Sequence, residues 1–168
     1  LEAVKILRGL GYDARATIVA NNIWNENAYK EKLIAYIKES KLEDVADMRF
    51  SGVSEEDLAR VYRESDVFVQ AVYVPPPGHH GWGLVNFEAM AAGLPVILCR
   101  AATATEVLHD GEDALFVDPL ASEKIARQAK KLVDDPTLYS KIAHAGQKVA
   151  KNMSWEKYAE EMLKTFQK

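Results

Sequence analysis

The feature that most constrains this chain is an alternation of short β-branched runs with stretches of helical spacing. Ala14–Ala20 (ARATIVA), Met48–Ser51, Asp66–Val72 (DVFVQAV) and Leu94–Cys99 (LPVILC) read as strands, with Leu115–Val117 as a short fifth. Pro95 is tolerated near the start of its strand. Between the first two strands, Tyr29, Leu33 and Ile37 recur at helical spacing, with Asn25 or Asn27 available as cap. Ser54 can cap the next helix, where Glu55, Glu56 and Asp57 place negative charge at the positive end. A helix from about Leu84 to Ala92 stops at Gly93, a residue suited to a left-handed cap. Strands joined through helices return in the same direction, so the pattern predicts a parallel sheet covered on both faces.

The C-terminal third reads as helical. Ile125, Ala129, Leu132 and Val133 form one apolar stripe, with Ser122 as its expected cap. Asp135-Pro136 opens a second helix, proline in the first turn, with Leu138, Ile142, Ala145 and Val149 inward. Ser154 opens a third, whose Trp155, Tyr158, Ala159, Met162, Leu163 and Phe166 share a face expected to be core. Glu160-Glu161 read as its solvated side. The expected organisation is one domain over 1–168, a sheet region over 1–120 and closing helices over 121–168. Leu1–Leu10 (LEAVKILRGL) reads as a helix without the strand that normally precedes it. That, and the lack of an initiator Met, predict a piece of a longer polypeptide with a truncated first unit.

Composition narrows the function classes. With 168 residues and 48% hydrophobic content, the chain can bury one sizeable core. A net charge of -4 argues against a nucleic-acid partner held through phosphates. The lone cysteine, Cys99, excludes an internal disulfide and fits a reducing compartment; at a strand end it reads as a small buried hydrophobe. No apolar run approaches the roughly 20 residues of a membrane helix, and the start lacks the regions of a signal peptide. His79-His80 are adjacent in an irregular loop with no obvious third ligand, so no metal is expected. His109 and His144 read as surface residues.

Ligands of parallel α/β sheets sit beyond the carboxyl ends of the strands. Gly81-Trp82-Gly83-Leu84 lies there, after a strand and a loop, Tyr73–Gly83, with three prolines and three glycines. The two glycines let a ligand approach the backbone, and no Ser, Thr, Asp or Asn immediately precedes Leu84 as cap. The first amides of that helix are therefore free to take an anion such as a diphosphate, unless this is a plain glycine-rich loop. Glu88 lies one turn on, among apolar neighbours. It is either a carboxylate satisfied by a ribose diol or the one solvated position of its helix. Trp82 can stack on a ligand or pack across the cleft.

These residues carry a resemblance. Residues 79–97, HHGWGLVNFEAMAAGLPVI, resemble the donor-site signature of retaining GT-B glycosyltransferases of family 4, the group 1 glycosyl transferases. Residues 50–69, 105–120 and 133–158 resemble the segments flanking that signature. The resemblance implies a Rossmann-like α/β domain, the C-terminal half of an enzyme that moves a hexose from a nucleoside-diphosphate sugar to an acceptor. It implies that Glu88 holds the ribose hydroxyls and that the backbone at Gly81, Trp82, Gly83 and Leu84 faces sugar and diphosphate. Val53 falls where main chain meets the nucleobase, and Glu106 where a Gly-Gly-x-Pro-Glu loop places its glutamate. His80 stands where the family has the sugar-contacting glutamate, and is expected either to read a sugar hydroxyl pair or to be carried away by the longer loop before it. Ala102–Glu106 (ATATE) lacks the Gly-Gly pair, and the family's diphosphate-neutralising Arg and Lys would lie upstream of Leu1.

The implied partners are a nucleotide-sugar donor and an acceptor-binding N-terminal domain, without metal or other cofactor. The expected location is the cytoplasm, with peripheral attachment of the full-length protein to the inner face of the membrane as the alternative. Two other readings stay open: a non-catalytic nucleotide-sugar-binding module, and another activity on this fold such as a nucleotide-sugar 2-epimerase.

Overall fold

The computed structural model describes residues 1–20, 27–71 and 81–166. The chain divides into two compact units, Leu1–Val61 and Tyr62–Lys168. In the first, α1 (Glu2–Gly9), β1 (Ala16–Val19), α2 (Asn27–Glu39) and β2 (Ala46–Arg49) lead into α3 (Glu55–Arg63). β1 and β2 pair in parallel, Ala16 opposite Ala46 and Val19 opposite Arg49. The chain leaves α2 through Lys41, left-handed at φ 54, and the Leu42 amide returns to the Ile37 carbonyl at 2.9 Å. Glycine usually fills such a position. Here the burial of Leu42, 2% exposed, anchors the turn instead. Ser54 caps α3 as its sequence predicts, its hydroxyl oxygen accepting from the Asp57 amide at 3.1 Å.

The second unit holds β3 (Phe68–Gln70), α4 (Leu84–Ala91), β4 (Val96–Cys99), a 3-10 turn (Thr103–Glu106) and β5 (Leu115–Val117). Three helices follow: α5 (Ser122–Asp134), α6 (Pro136–Asn152) and α7 (Trp155–Phe166). The strands form a parallel sheet in the order β3-β4-β5, with Phe68 opposite Val96 and Ile97 opposite Leu115. β4 is buried along its whole length. Ile97, Leu115 and Val117 pack with Leu132 of α5 and Ile142 of α6, and Ile125, Ala129 and Leu138 surround them. Each such aliphatic side chain contributes about 1.5–3 kcal/mol by leaving water. Asp135 caps α6, its carboxylate accepting from the Thr137 and Leu138 amides at 3.0 Å, and Pro136 occupies the first turn. Gly93 turns the chain after α4 at φ 90, as its sequence predicts.

The parallel α/β pattern is as expected, and the described strands pair as two parallel sheets, one in each unit. Three expectations change. Ser122 does not cap α5: Ala121 takes the cap position without a side-chain bond, and Ser122 is already helical. Val133 leaves the α5 stripe for solvent at 53% exposure. Most plainly, the apolar face of α7 is not core. Trp155 is 75% exposed and Phe166 78%, and Tyr158 and Leu163 are open with them. Helical spacing places these residues on one face, but it does not say what that face meets. Asn25 lies outside the described residues.

α6 approaches α4 through a glycine. A Cβ on Gly146 of α6 would meet Met90 Cγ of α4 at 3.0 Å and the Asp113 carbonyl oxygen at 3.3 Å. Alanine is the better helix former by about 1 kcal/mol, but overpacking costs about 1–3 kcal/mol. Gly146→Ala is therefore expected to lower the urea midpoint of the full chain, against its helix propensity. A midpoint at or above wild type would overturn this account of the α4–α6 contact.

Candidate functional site

The parallel sheet of the second unit brings two connections to one edge. The glycine segment follows β3 and the 3-10 turn follows β4, so both emerge at the carboxyl ends of neighbouring strands. Gly83 is the cap residue of α4, left-handed at φ 76 and ψ 54, and no side chain caps the first amides of the helix. That agrees with the uncapped start read from the sequence. The two glycines differ. A Cβ on Gly83 would meet Asn86 Nδ2 at 2.8 Å and Gln70 Nε2 at 3.1 Å, whereas one on Gly81 has nothing within 4 Å among the described residues. The left-handed backbone and the close amides make glycine a requirement at Gly83.

α4 has a buried side formed by Asn86, Phe87, Ala89 and Met90, and an open side that includes Leu84, Val85 and Glu88. Glu88 is exposed, so it occupies the solvated stripe of its helix, and its reading as a ribose ligand cannot rest on burial. It is nonetheless held. The Tyr62 hydroxyl, at the end of α3, donates to Glu88 Oε2 at 3.0 Å. Burial first, and then the Glu88 carboxylate, push the Tyr62 hydroxyl above the ordinary phenol range. It therefore stays a neutral donor at physiological pH, leaving Glu88 Oε1 and a second lone pair on Oε2 to accept. Trp82 stacks on Phe87, ring centroids 6.0 Å apart and planes 15° apart, and is 37% exposed. Its indole is thus packed on Phe87 and partly exposed.

Glu106 closes the 3-10 turn and is exposed, while Ala102 and Ala104 of the same segment are buried. Thr105 Oγ1 donates to the Ala102 carbonyl at 2.7 Å, tightening the turn. Val53 belongs to the first unit, half-buried just after Gly52, which is left-handed at φ 74. His80 lies outside the described residues. Cys99 is buried, His144 is exposed, and the His109 ring is largely in solvent although its backbone amide donates to Asp113 at 2.8 Å. Among the described residues no group of three or more His, Cys, Asp and Glu side chains is placed to hold a metal ion, and no helix is long and apolar enough to cross a membrane.

Sequence reasoning missed three residues around this edge: Tyr62, Gln70 and Asn86. Asn86 Nδ2 donates to Gln70 Oε1 at 2.6 Å and to the Gly83 carbonyl at 2.9 Å. For the last two the signal was an amide within a largely apolar run, DVFVQAV and LVNFEAMA.

Known proteins resemble this chain in sequence and in fold. D-inositol 3-phosphate glycosyltransferase of Rhodococcus erythropolis is 34% identical over 113 residues, 67% of this chain and 24% of that protein. Mannosylfructose-phosphate synthase of Agrobacterium fabrum is 29% identical over 157 residues, 92% of this chain and 31% of that protein. The chain thus spans about a quarter to a third of these curated relatives. Among solved structures, the C-terminal domain of a glycosyl transferase group 1 family protein (LpcC) of Francisella tularensis superposes with a TM-score of 0.77 at 25% identity. That match covers 90% of this chain and 75% of the other. Anabaena Alr3699/HepE, solved in complex with UDP, superposes with a TM-score of 0.83 at 20% identity over 99% of this chain and 44% of that one, a likeness of fold. The fold is thus that of the C-terminal, Rossmann-like half of GT-B glycosyltransferases. Residues 1–149 match the family model described as Glycosyl transferases group 1, and the chain belongs to that family.

Proposed function

We propose that this chain is the donor-binding half of a retaining glycosyltransferase that moves a hexose from a nucleoside-diphosphate sugar to a saccharide, lipid or other acceptor. The observation that carries the reading is the start of α4: Gly83 is left-handed with no side-chain cap, and Glu88 is held by Tyr62 one turn on. In this reading the glycine backbone and the positive end of α4 face the diphosphate, where charge develops as the sugar leaves. Glu88 takes the ribose hydroxyls, and Glu106 approaches the diphosphate-sugar from the second connection. The acceptor is held by a further domain of the full-length polypeptide, and no metal ion takes part.

The Ala102–Glu106 segment favours a second reading. Where the family has two glycines this segment has Ala102 and Thr103, and Ala102 is buried with Ala104 in a tight turn. That suits a module that binds a nucleotide sugar without transferring it. Turnover by the full-length protein separates the two.

Melting full-length protein against a panel of UDP-, GDP- and ADP-sugars tests the binding role, because a ligand that binds the native state raises the melting temperature. At least one donor is expected to raise it, and a flat panel would overturn the reading. Within the site, Glu88→Gln is expected to weaken nucleoside-diphosphate binding about tenfold, the worth of a charge-assisted hydrogen bond. Tyr62→Phe should weaken it by about threefold, because only the orientation of Glu88 is lost. Equal calorimetric affinities for wild type and Glu88→Gln would remove Glu88 from the site. The 168-residue chain alone is expected to melt cooperatively yet yield no transfer product with any donor, since the acceptor must be held beside the sugar. Product from that chain would place the acceptor site within it.

A further inference from the structure

Asn86 is an unusual residue for its place. It is 0% exposed, on the buried side of a helix whose other buried members are Phe87, Ala89 and Met90. Both neighbours of its Nδ2 are oxygens, Gln70 Oε1 at 2.6 Å and the Gly83 carbonyl at 2.9 Å. Turning the amide over would set oxygen against two oxygens, so its orientation is fixed by chemistry. That orientation leaves Asn86 Oδ1 buried without a hydrogen-bond partner. A buried acceptor of this kind is destabilising, and an apolar side chain of the same shape avoids the penalty. Stability alone therefore does not account for asparagine here.

The amide pair instead does something local. Asn86 and Gln70 together fill the space where a Cβ on Gly83 would stand, at 2.8–3.3 Å. Gln70 ends β3 and Asn86 lies in the first turn of α4, so their bond ties the strand end to the helix start across the glycine segment. The Gly83 carbonyl accepts twice from the same residue, from the Asn86 side chain and, at 3.0 Å, from its backbone amide. The Gly83–Leu84 peptide is thereby fixed in direction, and with it the Leu84 N–H.

We propose that Gln70 and Asn86 are positioning residues of the donor site: their paired amides set the direction of the Gly83–Leu84 peptide, so that the Leu84 N–H at the uncapped start of α4 faces the diphosphate. The proposal rests on the donor-site reading above. It makes the Gln70–Asn86 pair a clamp that exchanges stability for orientation, as functional sites commonly do.

The test compares full-length wild type with Asn86→Leu, Gln70→Leu, the double variant and Glu88→Gln, by thermal melting and by calorimetric titration with UDP, GDP and ADP. The Leu variants are expected to melt at or above wild type and to bind the preferred nucleotide about tenfold more weakly. The double variant should lose no more than either single one, because the two side chains act as one unit. Leu variants that bind like wild type, or losses that add, would overturn the clamp. So would an affinity loss matched by a fall in melting temperature in both single variants, since that marks a purely structural role. If Asn86→Leu alone melts early, Gln70→Leu decides, because Gln70 is only half-buried at a strand end. The two readings fail differently. No binding of any of the three nucleotides by wild type removes the donor site and the clamp with it. Binding that Glu88→Gln weakens and the Leu variants do not removes the clamp alone.

Discussion

The second unit depends on β4. Its four residues are buried, and it bonds to a parallel neighbour on each side. A strand buried on both faces needs helices over it, and parallel pairing forces each connection to travel back the length of the sheet. Every strand then ends at the same edge. The glycine segment and the 3-10 turn share that edge because of this geometry, without any attraction between them. Burial of the β4 aliphatics supplies the stability that lets the edge itself carry glycines, exposed carboxylates and an unsatisfied amide.

α4 shows how the two demands divide within eight residues. Ala89 and Met90 are 0% exposed, and Gly146 of α6 comes close enough to Met90 that even a methyl group would intrude. That end of the helix is governed by packing. The other end is governed by polar groups: a left-handed glycine, an amide pair behind it, and a tyrosine that steadies Glu88. The first end fixes where the helix lies, and the second fixes what its start presents to solvent.

Much of this was legible in the sequence for identifiable reasons. The β-branched run LPVILC and the stop at Gly93 locate β4 and the end of α4, since both signals are local. The Ser54 and Asp135 caps follow from hydroxyl and carboxylate side chains standing just before helical runs. What local patterns cannot carry is the identity of the neighbour. Trp155 and Phe166 share a face by periodicity, yet their exposure depends on what lies opposite. The division of five strands into two ladders is likewise a long-range property. At the candidate site, the family motif pointed to Gly83 and Glu88, but Tyr62 and Gln70 contribute through contacts 26 and 16 residues away in sequence.

One consequence lies in Cys99, the chain's single thiol, 1% exposed at the end of β4. A buried thiol reacts only when the structure around it opens. Its labelling rate with a small alkylating reagent is therefore a clock for the opening of the β3-β4-β5 sheet. The clock reads that sheet alone, because the Leu1–Val61 unit contains no cysteine and is silent in the same experiment.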